Sequence, residues 1–189
     1  MVHQKGDRRI LAFGNEIGQS CVSLANPARL EYSYTQAMFL ATLLQSELRN
    51  ALVLGLGGGS LVRALHAGFP GCSVMAVEGR GEVVQVAREF FFLPEERKTT
   101  IVIADATDYL AAAPAANDLI FADLYQAEGM DARQMQLEFL RGCRAALAPG
   151  GVLAANFWSN ELKAVQQMSL NLNRVVDEQI GRASCRERV

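Results

Sequence analysis

One glycine loop and three acidic positions carry the residue types in this chain that could do chemistry. The loop is Gly55-Leu56-Gly57-Gly58-Gly59-Ser60, set between an apolar run and a helical stripe. Glycines there let the backbone approach a ligand closely, and the N-terminus of the following helix offers free N–H groups. A tight strand-to-helix turn is the plain alternative. No Gly-Lys-Ser/Thr follows, so a phosphate loop of the Walker type is excluded. Glu78 stands 21 residues beyond Gly57 at the end of the next apolar run. A carboxylate at that point can accept both hydroxyl hydrogens of a ribose lying across a sheet edge, or it can be a solvated strand end. Asp105, followed by Ala106, ends a third run. It could meet an adenine amino group, and it could equally cap a helix beginning near Thr107. Asp123 ends a fourth run, in Phe121-Ala122-Asp123-Leu124-Tyr125-Gln126. Beside a reactive carbon it could take a proton from an attacking amine or hold that amine in place; otherwise it bonds neighbouring backbone amides.

These positions make sense together only if the elements around them form one sheet. From residue 51 onward, short apolar runs alternate with segments of helical periodicity, the pattern of βαβ units on a parallel sheet. The runs are 51–55, 73–78, 100–105, 118–123 and 151–157, continuous rather than alternating, as strands buried on both faces are. Between them Leu61, Val62, Leu65 and Phe69 form one helical stripe, and Val83, Val84, Ala87, Phe90 and Phe91 a second. A third comprises Met135, Phe139, Cys143, Ala146 and Leu147, closed by Pro149-Gly150-Gly151. The fold class is therefore α/β, a doubly wound, mostly parallel sheet. Its C-terminal edge would gather the glycine loop, Glu78, Asp105 and Asp123, where such sheets bind ligands. The order favours an adenosine-bearing ligand without separating a dinucleotide from S-adenosylmethionine. Ahead of residue 51, Arg9–Phe13 and Gln19–Val22 predict a small β-hairpin around Gly14-Asn15, followed by a helix from about Tyr34 to Leu48. After the fifth run, Ser159 or Asn160 can cap a helix carrying Leu162, Val165, Met168, Leu172, Val175 and Val176.

Composition narrows the classes further. At 189 residues, 50% hydrophobic and 20% charged, the chain can build a core without staples. Cys21, Cys72, Cys143 and Cys185 lie far apart, and His3 and His66 are the only histidines. A zinc site or disulfide framework is not expected, and reduced thiols in the cytoplasm are. A net charge of −2 gives no basic footprint for nucleic acid, and no apolar run reaches the roughly 20 residues a membrane span needs.

From about Arg8 to Trp158 the chain resembles the spermidine synthase family, the polyamine aminopropyltransferases. The resemblance rests on the hairpin with Gln19, Leu30-Glu31-Tyr32-Ser33-Tyr34, the Gly55 to Ser60 loop, Val77-Glu78, Asp105-Ala106, Asp123 and Leu147-Ala148-Pro149-Gly150-Gly151. It implies a Rossmann-like sheet of the class I methyltransferase type, and transfer of an aminopropyl group from decarboxylated S-adenosylmethionine to an amine. It further implies that Gly55, Gly57, Gly58, Gly59, Glu78, Asp105 and Ala106 hold the donor and that Asp123 is the general base. Gln19, Tyr34 and Tyr125 would line the amine pocket, no metal would be needed, and a homodimer stays open. Three positions depart from the family's pattern: Gly58 and Gln126 each stand where it has Asp, and Thr35-Gln36 stands where it has His-Glu. The alternatives kept alongside are a methyltransferase using S-adenosylmethionine itself, a nicotinamide-dinucleotide protein and a nucleoside-binding module without catalysis.

The last ten residues, Ile180 to Val189, resemble the translation of a sequencing adapter. They carry three arginines against one glutamate, so the first 179 residues hold a net −4. The expected organisation is a β appendage over 1–33, a nucleoside-binding domain over 34–179 whose last two strands are missing, and an artefactual tail over 180–189.

Overall fold

A computed structural model describes residues 1–12, 18–94, 99–126, 129–157 and 162–186, with side chains to residue 176. Five parallel strands form the central sheet: β4 (Asn50–Leu54), β5 (Ser73–Glu78), β6 (Thr99–Ile103), β7 (Asn117–Ala122) and β10 (Leu147–Ala155), in the order β10-β7-β4-β5-β6. The chain winds outward through β5 and β6, then crosses back to lay β7 on the other side of β4. Helices α2 (Ser60–Gly68), α3 (Gly81–Phe90), α4 (Ala106–Ala112) and α5 (Leu137–Ala146) make the crossovers.

Alternation along the buried strands builds two cores. Ala51, Val53, Leu119 and Phe121 point to the face covered by α2 and α3, with Leu61, Leu65, Val84 and Ala87. Leu52, Leu54, Ile120 and Ala122 point to the other, covered by α4, α5 and α6 (Leu162–Arg186), with Leu110, Phe139, Leu140, Cys143 and Met168. Both faces being covered, the strands carry near-continuous apolar runs, as the sequence predicts.

The N-terminal segment is a three-stranded antiparallel sheet rather than a hairpin, because β1 (Val2–Lys5) joins β2 (Arg8–Ala12) and β3 (Gly18–Ser23). Its sequence Val-His-Gln-Lys is mostly exposed and carries no apolar alternation to betray a strand. The predicted Gly14-Asn15 turn lies outside the described residues. Leu11 and Val22 pack with the fully buried Phe91, which seats this sheet on the end of α3.

The predicted helix over 34–48 is shorter: α1 spans Ser33–Phe39 and continues as a 3-10 segment, Leu40–Leu44. Thr35 and Thr42 each donate their hydroxyl to the carbonyl three residues back, Tyr32 and Phe39, a local bond that competes with regular helix. The third predicted helix also divides, into a 3-10 turn (Ala132–Met135) capped by Asp131, an extended Gln136, and α5. Pro149-Gly150-Gly151 does not end that helix. Leu147 is already extended, and the three residues lie in β10 where its ladder to β7 is interrupted between Leu147 and Val152. The backbone of α6 is helical through Arg186, past the point where hydrophobic period stops. Arg182, Ala183 and Arg186 favour helix and no proline interrupts it. The predicted caps Ser159 and Asn160 lie outside the described residues. Among the described residues no helix is long and apolar enough to cross a membrane.

Phe121, fully buried on β7 and stacked on Phe39 at 6.3 Å between ring centroids, ties the sheet to α1. Phe121→Ala is expected to lower unfolding free energy by about 3–5 kcal/mol, measured by urea denaturation.

Candidate functional site

The reversal of winding between β4 and β7 opens a crevice at the C-terminal edge of the sheet. The Asp123 N–H donates to the Leu54 carbonyl at 2.9 Å, so the end of β7 is fastened to the end of β4. Gly55 follows Leu54 with φ +89°, and a Cβ there would lie 2.2 Å from the Asp123 carbonyl oxygen. No side chain fits, so glycine at 55 is what lets the loop and the acid share one edge. Together they floor a cavity of about 1010 Å³.

Gly55, Leu56, Gly57 and Ser60 line the cavity, whereas Gly58 and Gly59 do not. The Gly58 N–H turns to Ser20 of β3 and donates to its Oγ at 2.8 Å. Gly59 is the residue before α2, packed near Leu93 and Arg63. Of the four glycines expected to hold a donor, Gly55 and Gly57 are thus the two that face the cavity. The other two serve packing under the loop.

Arg63 of α2, only 5% exposed, fixes that packing. Its guanidinium donates to the carbonyls of Pro27 (2.7 Å), Phe91 (2.6 Å) and Gly58 and to Ser60 Oγ (3.2 Å). Burial away from any carboxylate lowers its pKa to about 10. One cation thus gathers the linker after β3, the glycine loop and the end of α3 through neutral dipoles.

Glu78, at the end of β5, points back under the loop. Its Oε2 accepts from the Leu56 N–H and its Oε1 from the Arg80 N–H, each at 3.1 Å. Asp105 caps α4, with Oδ1 accepting from the N–H groups of Thr107 (2.8 Å) and Asp108 (3.4 Å), and its Oδ2 pairs with Arg133. Burial works to raise the Asp105 carboxyl, but the Arg133 bond and the two amides outweigh it and hold it below the usual carboxylate range. The capping reading of Asp105 is the one the structure displays, and the residue also lines the cavity with Ala106.

Asp123 sits among neutral donors. The Tyr34 hydroxyl donates to its Oδ2 at 3.3 Å and the Asn156 side-chain amide to its Oδ1 at 2.9 Å. Burial raises its carboxyl above the ordinary range, and the two hydrogen bonds only partly offset this. Tyr34 is pushed up in turn, by burial and by the neighbouring Asp123, which keeps it a protonated donor. Burial and Asp123 likewise raise Tyr125. Gln19, Tyr34 and Tyr125 all line the cavity.

Four site residues escape sequence reasoning. Asn156 follows β10 as Asp123 follows β7, so a polar residue at a fifth strand end was a readable signal. Ser20, Asp131 and Arg133 gave none. Asp131 accepts from the Arg133 backbone and side chain and from Gln126 Nε2 at 2.9 Å. The Arg133 bond is the main cause that brings Asp131 down to about 2. Among the described residues no group of three or more His, Cys, Asp or Glu side chains is placed to hold a metal.

A family model described as the spermine/spermidine synthase domain matches residues 31–182. The chain belongs to this family. It is 35% identical over 162 residues to a polyamine aminopropyltransferase of Chromobacterium violaceum, an alignment covering 85% of this chain and 62% of that one. The chain thus spans less than two thirds of that relative's length. The fold is that of the crystal structure of a probable spermidine synthase from Corynebacterium glutamicum, with TM-score 0.78, 22% identity, and coverage of 92% of this chain and 66% of that one. Human methyltransferase-like protein 13, solved in complex with SAH, superposes with TM-score 0.70 at 25% identity, covering 76% and 72%. The central parallel sheet with its N-terminal β-sheet is therefore the Rossmann-like, class I methyltransferase type that the resemblance implies.

The folded pKa of Asp131 lies below its unfolded value of 3.8, so its pairing adds stability that is present above that value and lost as pH falls toward about 2. Asp131→Asn is expected to lower the urea midpoint at neutral pH. The gap to the parent should close through that acid window.

Proposed function

We propose that the chain is a transferase that moves an aminopropyl group from decarboxylated S-adenosylmethionine to an amine. The polyamine class is what the name of its aminopropyltransferase relative suggests for the acceptor. The observation that carries this reading is Asp123, a carboxylate of raised pKa held by Tyr34 and Asn156 where the loop after β4 meets the end of β7. In the reaction the amine nitrogen attacks the methylene carbon on the sulfonium. The carbon–sulfur pair goes to sulfur, methylthioadenosine leaves, and Asp123 takes the proton from nitrogen.

The other residues have roles that follow from their places. Glu78, fixed by two backbone N–H groups, keeps lone pairs for the ribose hydroxyls. Asp105 and Ala106 stand at the adenine end, and Gly55 and Gly57 give the sulfonium arm close backbone. Gln19, Tyr34 and Tyr125 flank the attacking amine, and the Tyr34 hydroxyl orients the base. The gain comes from positioning and from a base whose pKa is brought nearer neutrality by burial. No residue role in this scheme calls for a metal.

A second reading, methyl transfer from S-adenosylmethionine, is favoured by one feature: Gly58 supplies no carboxylate to the donor's amine. The two separate by product. Incubation with either donor and a mixture of amines should release methylthioadenosine from the decarboxylated donor; S-adenosylhomocysteine from the carboxylated donor alone would establish methyl transfer instead.

Asp123→Asn is expected to leave donor binding by calorimetry nearly intact while turnover falls about 10²-fold or more. Because the base must be ionised, kcat/KM in the parent should fall as pH drops through a value above the ordinary aspartate range. Tyr34→Phe removes a bond that lowers the Asp123 pKa, so that acid limb should move to higher pH.

A further inference from the structure

Gln134 lies in the 3-10 turn Ala132–Met135, is 1% exposed, and does not itself line the cavity. An amide taken out of water is costly unless its polar atoms are met, so its partners show what it holds. Its Oε1 accepts from the Leu124 N–H at 3.4 Å, and its Nε2 donates to the carbonyls of Leu124 at 3.3 Å and Asn156 at 3.1 Å. Bonded to both the N–H and the C=O of Leu124, the side-chain amide stands to that residue as the backbone of a paired strand would.

The two residues it joins flank the base. Leu124 follows Asp123 in the chain. Asn156 follows β10, its N–H donates to the Ala122 carbonyl at 2.8 Å, and its side-chain amide donates to Asp123 Oδ1 at 2.9 Å. The ladder between β7 and β10 reaches Ala122 and Ala155, and Gln134 carries the connection onward to Leu124 and Asn156. One buried amide therefore fixes the backbone next to the carboxylate and the backbone that carries its donor. The turn is fastened at the same place, because the Leu124 carbonyl also accepts from the Asp131 N–H at 2.9 Å and the Gln134 N–H donates to the Asp131 carbonyl at 3.2 Å.

We propose that Gln134 is a positioning residue for the base, holding the Asp123 carboxylate and its Asn156 donor together so that the carboxylate stands where it takes the proton of the attacking amine. This role rests on the alkyl-transfer reading given above. Gln134 acts through Leu124 and Asn156. Proton transfer needs the base within hydrogen-bond reach of the nitrogen, and a small misplacement caused from outside the site is enough to slow the reaction.

Gln134→Met keeps an unbranched side chain of similar length and removes the amide. With decarboxylated S-adenosylmethionine and 1,4-diaminobutane, kcat for methylthioadenosine release is expected to fall about tenfold or more, with donor affinity by calorimetry within about twofold of the parent. The Asn156 bond lowers the Asp123 pKa, so loosening it should move the acid limb of kcat/KM, and the NMR titration of the Asp123 carboxyl, to higher pH. Among the described residues Tyr34 and Tyr125 are the titratable groups that feel Asp123, and burial raises both, so they stay protonated through that range. In an Asn156→Ala background, which already lacks the bond, Gln134→Met should add no further shift; a further shift there counts against the role. A lower urea midpoint with the acid limb and the titration unmoved is the mark of a merely structural amide and overturns the proposal, as does a parent-like kcat. A raised Asp123 titration in Gln134→Met, with no methylthioadenosine formed by the parent, overturns aminopropyl transfer and leaves the positioning of Asp123 standing. Should Gln134→Met not fold, Gln134→Asn, which draws the amide back by one methylene, decides by the same titration.

Discussion

The site depends on one backbone contact, the bond from the Asp123 N–H to the Leu54 carbonyl at the point where the sheet reverses its winding. Two parallel strands that are neighbours in space, with paired residues 68 positions apart in sequence, end at the same level there. Everything the crevice contains follows from that level. The loop after β4 must turn at once, which only a glycine at 55 allows against the Asp123 carbonyl. The next strand outward brings Glu78 beneath the loop, and the one beyond it brings Asp105 to the start of α4. The acids are thus placed by sheet register and not by local sequence.

That is why so much of this site was legible in the sequence. Buried parallel strands announce themselves as apolar runs, and the first polar residue after each run marks the C-terminal edge. Glu78, Asp105 and Asp123 could be chosen by that rule alone, and Asn156 obeys it too. The rule is silent where burial does not set the pattern. β1 is exposed and polar, and the split of α1 turns on two threonine hydroxyls bonding backward. Arg133 belongs to a short 3-10 segment capped by Asp131, which follows the two-residue antiparallel strands β8 (Tyr125–Gln126) and β9 (Gly129–Met130), and none of these has a period to read. The glycine loop shows the opposite error. Four glycines in five residues suggest a ligand at each, yet two of them make room for Ser20, Phe91 and Leu93.

The carboxylates around the cavity hold the fold as well as facing the ligand space. Glu78 anchors the loop backbone, Asp105 caps a helix, and Asp131 organises the turn before α5. Each therefore has a fixed orientation before any ligand arrives, which spares the ordering cost that binding would otherwise carry. Arg63 makes the same point with the opposite sign. A buried guanidinium surrounded by carbonyls is costly unless its donors are met, and here carbonyls of Pro27, Gly58 and Phe91 from three separate segments meet them. The charge that would destabilise a plain core instead fixes how the N-terminal sheet, the loop and α3 come together.

The same packing explains the absence of an acid at position 58. A Cβ on Gly58 would lie 2.9 Å from both Phe91 Cδ1 and Ser20 Cβ, closer than real contacts allow. Phe91 is fully buried and joins the N-terminal sheet to α3, so it has no room to give. Ser20 is fixed by accepting the Gly58 N–H. An aspartate at 58 would thus need a smaller residue at 91 and a shifted β3 together, and its side chain would start from a position that does not line the cavity. The departure from the family's acidic loop is therefore built into the join between two sheets. On the proposed alkyl-transfer reading, the loop offers the donor backbone at Gly55 and Gly57 and no carboxylate at 58, which leaves charge at the cavity wall to Glu78, Asp105 and Asp123 among the residues assigned a role.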